Sequence, residues 1–346
     1  MHPPPATSEE LLARARGGDA GAFDALIAPH RRRLHTHCYR MLGSPHDADD
    51  ALQDALLAAW RGLASFEGRS ALATWLYQIA THACLRLLAQ QRRRRFTSPD
   101  YGRPFETTAE LGEMVLGPVW LEPLLDEEQE GADQADPVLR LQRREQVALA
   151  FVAALQHLPA TQRAVLLLRE VLEYSAAETA AMLGGSVAAV NSALQRAQKS
   201  LRQRLPAVSQ AAEQQALGTA DLNRLLAAFV QAWETRHVDG LVALLTDDVR
   251  FTMPPLPAWF EGRHFVQRFL AERVFETPWR LLPLRANGQP GYACYMKSAG
   301  DSHFRLGGIL LLHLRGGLIA GLHSFLDPAL QRRFGLAAEL FVEQER

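Results

Sequence analysis

Residues 175–199 read SAAETAAMLGGSVAAVNSALQRAQK, and this stretch decides how the middle of the chain folds. Residues 175–183 are rich in alanine, which costs a helix least. Ser175 stands where an N-cap would, with Glu178 three residues on to complete a capping box. Gly184 and Gly185 supply the positive φ that a C-cap and a tight turn demand, and Ser186 can cap a second helix. In that helix Val187, Val190, Leu194, Ala197, Leu201 and Leu205 recur at helical spacing as an apolar stripe. Ser192, Gln195, Arg196, Lys199 and Gln203 occupy the opposite face. Two short helices across such a turn make a helix-turn-helix, whose second helix enters the major groove of DNA. A helical hairpin with a merely solvated polar face has the same local pattern. The surrounding charge separates the two readings: residues 140–205 hold nine basic side chains against four glutamates, the footprint of a phosphate-binding surface.

At 346 residues, 48% of them hydrophobic, the chain has room for two or three domains with real cores, which excludes global disorder. The net charge of −1 conceals strong local imbalances. Cys38, Cys84 and Cys294 are far apart with no CxxC, which indicates neither a disulfide framework nor a zinc knuckle. His35, His37 and Cys38 are close, but without a second ligand cluster they read as ordinary helix residues, so neither metal nor cofactor is expected. The N-terminus lacks an apolar signal core. The most apolar run, GGILLLHLRGGLIAGL, is broken by His313 and Arg315 and does not read as a membrane span. The expectation is a cytoplasmic protein without a membrane partner. No Walker loop, GxGxxG, HExxH or nucleophile elbow is present, so a free-standing enzyme is the least favoured class.

Four segments follow. Residues 8–97 read as helices. In SPHDADDALQDALLAAWRGL, Ser44 is the N-cap and Pro45 the first helical residue. Ala51, Leu52, Ala55, Leu56, Ala59 and Leu63 form the buried side of that helix, while Asp47, Asp50 and Asp54 share another face. A further helix over residues 70–95 turns Leu72, Trp75, Leu76, Ile79, Ala80, Ala83 and Leu87 inward and ends in four arginines. Residues 98–139 carry eleven acids, five prolines and a single arginine, a linker composition, yet they include the apolar knot VWLEPL. After the basic segment, 140–206, residues 207–219 read as a short polar joint. An amphipathic helix over 222–233 follows, then strand-like runs at 249–253, 292–296, 304–314 and 318–325. The last two flank the hairpin signal Arg315-Gly316-Gly317. Residues 220–335 therefore form an α+β domain.

The run YRMLGSPHDADDALQDALLAAWRGLASFEGRSALATWLYQIATHAC resembles region 2 of the sigma-70 initiation factors, and LPATQRAVLLLREVLEYSAAETAAMLGGSVAAVNSALQRAQKSLRQRL resembles their region 4. An acidic joint stands where longer sigma factors carry region 3, the layout of the extracytoplasmic-function group. The tail, from LAAFVQAWETRHVDGLVALLTDDVRFTM onward, resembles the cone-shaped SnoaL-like, nuclear-transport-factor-like fold. The implied architecture is multidomain: two all-α sigma domains, a region 2 bundle and a region 4 helix-turn-helix, plus an α+β cone.

The resemblance also implies roles. Asp47, Asp50 and Asp54 would dock on the β′ clamp of core RNA polymerase, with the β flap as the second contact; compensation of the helix N-terminus is the other reading of these acids and explains Asp47 best. Phe66, Arg69, Ser70 and Thr74 would capture a flipped base of the minus-ten element, and Arg92 and Arg93 would hold phosphates; Trp75 is in register with the core. His82 stands where relatives often have asparagine. Ser186, Ala189, Asn191, Ser192, Gln195 and Arg196 would face minus-thirty-five base edges, with Lys199 and Arg202 on phosphates. Trp120, Leu121, Glu122 and Pro123 would dock on the tail. By their own apolar stripe, Phe251, Met253, Trp259, Phe265 and Phe269, with His323, could line a pocket in the tail, and the same stripe would serve equally as core.

Three roles compete for the tail: a regulatory domain answering to a small ligand or regulatory protein, an enzyme using Asp248, His264, His303, His313 or His323, and a brace or dimer surface. No pair among those five is spaced as an acid/base couple. For the whole chain the alternative is a ligand-responsive repressor, which would have no use for an acidic docking face beside a base-capturing loop.

Overall fold

The computed structural model describes residues 7–68, 70–90, 96–97, 100, 102–115, 119–126 and 148–341. These form two compact units. One contains residues 7–90 and 152–205; the other contains residues 96–126, 148–151 and 206–341.

The first unit opens with α1 (Ser8–Arg16), α2 (Ala20–Leu42), α3 (Pro45–Gly62) and α4 (Leu72–Gln90). The caps follow the sequence: Asp19 accepts from the Ala22 amide, Ser44 accepts from the Asp47 amide, and Pro45 fills the first turn of α3. Gly43 ends α2 in the left-handed region at φ 77, a conformation that only glycine adopts without cost. Ile27, Leu34, Tyr39 and Met41 are fully buried between these helices, with Ala51, Ala55, Ala59, Leu76 and Ala80. Phe23 meets Trp60 edge-on at 5.1 Å.

Cys38 and Cys84, distant in sequence, are brought together in this core. Their thiols share a hydrogen bond that, with burial, pushes Cys84 well above the ordinary thiol range. Beside them His37 is buried and its Nε2 lies 2.9 Å from Thr81 Oγ1. The Thr81 hydroxyl donates its one proton to the Tyr77 carbonyl, so His37 is the donor to Thr81. Burial and the nearby Arg40 depress the His37 pKa to about 3. His37 is therefore neutral when folded and protonates on unfolding. Its contribution is complete above the unfolded value near 6.5 and is lost as pH falls from there toward 3, on the order of a few kcal/mol. Urea midpoints of His37→Gln should flatten with pH across that window relative to the parent chain.

The same unit holds α5 (Leu149–Gln156, from Val152 onward), α6 (Ala160–Leu166), a π turn (Leu167–Val171), α7 (Ala176–Leu183) and α8 (Val187–Arg202). The capping box at Ser175 and Glu178 is present, Gly184 turns left-handed at φ 66, and Ser186 caps α8. Val165, Ala180, Val190 and Ala193 make the small core of this trihelical piece.

In the second unit β1 (Phe96–Thr97) and β2 (Val119–Trp120) pair in parallel. A curved sheet follows, built from β3 (Leu245–Thr252), β4 (Trp259–Glu261), β5 (Trp279–Ala286), β6 (Gln289–Met296), β7 (Phe304–Arg315) and β8 (Leu318–Phe325). The order is β4-β3-β8-β7-β6-β5, and β9 (Glu339–Leu340) pairs with β7. Gly316 and Gly317, at φ 60 and 79, close the β7–β8 hairpin as expected. Helices α9 (Gln210–Glu234), α10 (Val238–Val242) and α11 (Arg263–Glu272) cover its apolar side, where Phe229, Trp233, Phe260, Phe269, Phe275 and Tyr292 pack; α12 (Pro328–Arg333) follows β8.

The expected polar joint at 207–219 is helix from Gln210 onward. Ser209 caps α9 by accepting from the Ala212 amide, and the helix runs to Glu234 with one break, at Gly218 (φ 76). Buried Gln210 both donates to the Leu314 carbonyl and accepts from the Leu314 amide at 2.8 Å. The domain thus starts about ten residues earlier than residue 220. Alanine and glutamine supplied helix propensity there without an apolar period to announce it.

Candidate nucleic-acid interface

Helix α8 sorts its residues by face. Val190, Ala193 and Ala197 are buried, while Ala189, Asn191, Ser192, Gln195, Arg196, Lys199 and Arg202 are all exposed. Val187 leaves the expected apolar stripe: it is 44% exposed, because the first turn of α8 projects beyond the helices that bury the rest. Ser186 is exposed, and its Oγ accepts from the Ala189 amide, so that oxygen serves the cap. The result is one row of amides, a hydroxyl and three cations across four turns, with no acid among the exposed members. Such a row can donate to base edges at its start and to phosphates at its end.

In the first unit Asp50 and Asp54 are exposed on α3, but Asp47 is buried near the cap it belongs to. The acidic face is therefore two residues rather than three, since a first-turn acid is drawn in against the helix N-terminus. Phe66 is only 8% exposed; its ring lies 4.8 Å from that of Trp75, and its carbonyl accepts from Arg16. It supports the loop and does not offer a face to a base. Ser70 is exposed and Thr74 half-buried. Arg69, Arg92 and Arg93 lie outside the described residues.

His82 and Gln78, one turn apart on α4, both reach the Met182 carbonyl at the end of α7, at 2.8 and 3.4 Å. Thr74 hydrogen-bonds Tyr174, whose ring meets Tyr77 edge-on at 6.4 Å. Arg163 donates to the Met41 carbonyl, to Gln156 Oε1 and to the carbonyls of Gln156 and Leu158; Gln156 Nε2 donates to the Arg40 carbonyl at 3.1 Å. Tyr174 and Arg163 carried no sequence signal, because Thr74, Tyr77 and Met41 are about a hundred residues or more away and the nearer partners of Arg163 lie across a turn.

In the second unit, the described residues between 100 and 126 make contacts with the tail. Arg250 pairs with Asp100 at 2.9 Å. The Phe105 amide donates to the Trp259 carbonyl, and the Phe105 ring meets Phe260. Thr108 donates to Glu272, and the Val115 amide donates to the Pro255 carbonyl at 2.9 Å. Trp120, Leu121 and Pro123 are buried and Glu122 is half-buried. At the β5–β6 turn the Leu124 amide donates to Asn287 Oδ1 at 2.8 Å, and the Asn287 amide donates to the Leu124 carbonyl at 3.0 Å. The Gly288 amide donates to Asp126 Oδ1 at 2.8 Å. Asn287 is fully buried at φ 53.

The six expected pocket residues do not converge. Phe251, Met253 and Phe269 pack inside the cone, with Phe269 stacked on Phe260 at 4.5 Å. Trp259 is buried beneath Arg250 and Phe265 sits at the edge of the core. His323 alternates with core residue Leu322 and so faces the other side of the sheet, where its Nδ1 lies 2.9 Å from Thr252 Oγ1. Burial holds His323 near a pKa of about 4. Asp248 pairs with Arg315, His303 with Glu339, and His313 with Gln210. Among the described residues no group of three His, Cys, Asp or Glu side chains is placed to hold a metal, and no helix is long and apolar enough to cross a membrane.

Three family descriptions match: sigma-70 region 2 over residues 26–94, sigma-70 region 4 over 148–201, and the SnoaL-like domain over 226–322. The chain is 42% identical to the ECF RNA polymerase sigma factor SigG of Mycobacterium tuberculosis, over 92% of this chain and 85% of that protein. It is 35% identical to SigM of the same organism, over 56% of this chain and 81% of SigM. In fold it resembles the crystal structure of the M. tuberculosis extracytoplasmic function sigma factor SigJ, with a TM-score of 0.56 at 21% identity, covering 91% of this chain and 98% of SigJ.

Proposed function

The chain belongs to the extracytoplasmic-function sigma factors, and from that premise we propose how its parts divide the work. As an alternative sigma factor it binds core RNA polymerase, recognises minus-ten and minus-thirty-five promoter elements, and initiates transcription. Its chemistry is recognition, with no bond made or broken. Asp50 and Asp54 meet the β′ clamp, and the helix-turn-helix meets the β flap. Ser70 and Thr74, at the start of α4, receive the minus-ten strand. Helix α8 reads the minus-thirty-five major groove, with Asn191, Ser192, Gln195 and Arg196 at base edges and Lys199 and Arg202 on phosphates. The SnoaL-like tail acts in cis through residues 100–126.

The exposed row on α8 carries this reading: three cations and three amide or hydroxyl side chains lie on one face, with Val190, Ala193 and Ala197 turned away. Arg196→Ala should relax discrimination at one promoter position by about 1–3 kcal/mol, the contribution of a good bidentate base contact. Lys199→Ala should weaken all sequences alike and lower the salt slope of binding by about one. Fluorescence anisotropy of the holoenzyme on duplex promoters at several salt concentrations separates the two.

The experiment for the whole reading is run-off transcription from a randomised promoter library with purified core polymerase. Promoter-specific transcripts support it. Silence, with the protein alone still binding specific duplex DNA, hands the chain to the ligand-responsive repressor class.

A further inference from the structure

Thr74, Gln78 and His82 are spaced four residues apart and lie along one side of α4. All three are engaged by the segment that leads into and through α7. The Tyr174 hydroxyl bonds Thr74, and the Met182 carbonyl accepts from both Gln78 and His82. The turn that presents Tyr174 is held from several directions. After the π turn Leu167–Val171, Glu173 sits at φ 59, in the left-handed region. The Tyr174 amide donates to the Leu168 carbonyl at 3.0 Å, and the Arg169 guanidinium takes the Tyr174 carbonyl. A non-glycine residue held in that region persists only where its surroundings impose it, and such sites cluster at switches.

The contact also has the chemistry of a base. An aromatic ring with a hydrogen-bonding edge sits against Tyr77 and Thr74, which is what capture of an unstacked nucleotide requires. We propose that Tyr174 and the end of α7 form a self-occluding latch, in which the region 4 segment occupies the side of α4 that takes the minus-ten strand. The two cannot be held at once, so loading of the promoter strand and release of Tyr174 are one event. This inference rests on the assignment of Ser70 and Thr74 to the minus-ten element.

The probe is the fluorescein-labelled non-template strand of the minus-ten region from a promoter selected in the run-off experiment, bound to the full-length chain. If the competent state is a fraction of the population, apparent affinity is reduced by that fraction. Tyr174→Ala should therefore bind about tenfold more tightly, and Tyr174→Phe, which keeps the ring, should gain less. In a second measurement, spin labels on Gln53→Cys and Ala181→Cys, both exposed positions, should move apart when the strand saturates the protein. Equal affinity in Tyr174→Phe and Tyr174→Ala compared with the parent, or an unchanged label distance at saturation, overturns the latch while leaving the sigma assignment standing. Failure to select any promoter overturns the minus-ten assignment and the latch with it.

Discussion

Arg163→Ala is expected to unfold the helical unit at ordinary growth temperatures rather than to weaken a single contact. Arg163 is only 5% exposed and holds four acceptors from three places in the chain. Burial lowers its pKa to about 10, which still leaves it fully charged at neutral pH. Truncation strands the Met41, Gln156 and Leu158 carbonyls without a donor and leaves the space of a guanidinium behind. Breaking such a buried charged network by removing one partner costs about 3–5 kcal/mol, a large part of the 5–15 kcal/mol that a domain possesses. Arg163→Lys should recover only part of this, because one ammonium cannot address acceptors lying in several directions. Urea unfolding followed by far-UV circular dichroism measures both variants.

Asn287→Ala carries the second largest effect, and it falls on the other unit. The substitution removes the acceptor of the buried Leu124 amide, a loss of about 1–3 kcal/mol. It also places alanine at φ 53, where asparagine is far better tolerated. Asn287→Gly isolates the two contributions: it relieves the backbone but still loses the bond. The expected outcome is release of residues 119–126, read as faster proteolysis of the segment and as changed transcription from the selected promoters. A chain cut near Val208 is a poorer test of the tail's role, since it strips the covering from Phe105, Leu111 and Trp120 together.

Much of the first unit was legible because its signals are local. Caps at Ser44, Ser175 and Ser186, the left-handed Gly184 and the period of Val190, Leu194 and Ala197 act within a few residues of themselves, although Leu194 is only half-buried and the buried Ala193 was not in the stripe. The misreadings have physical causes. Val187 is in phase with the stripe but one turn beyond its cover, and Asp47 is in phase with Asp50 but captured by the helix end. Phe66 is an aromatic residue in the loop before α4 whose ring the core claims first. Cys38 and Cys84, on α2 and α4, meet only because those helices pack together. In the tail, Asn287-Gly288 is a strong two-residue hairpin signal. It was obscured because β5 carries Pro283 and two arginines, which an edge strand tolerates and a sequence pattern penalises. The acidic composition of residues 98–139 pointed to a spacer, whereas Phe105 and Leu111 pack half-buried against the core of the tail and Trp120 is buried, all three hidden among acids.

The clamp at Leu124 and Asp126 has a consequence for length. With Leu124 and Asp126 held on the tail, 21 residues, 127–147, separate the last clamped position from Ala148. Fully extended, 21 residues span at most about 75 Å. The clamp thus withdraws about half of the 57 residues between Gln90 and Ala148 from the length free to extend.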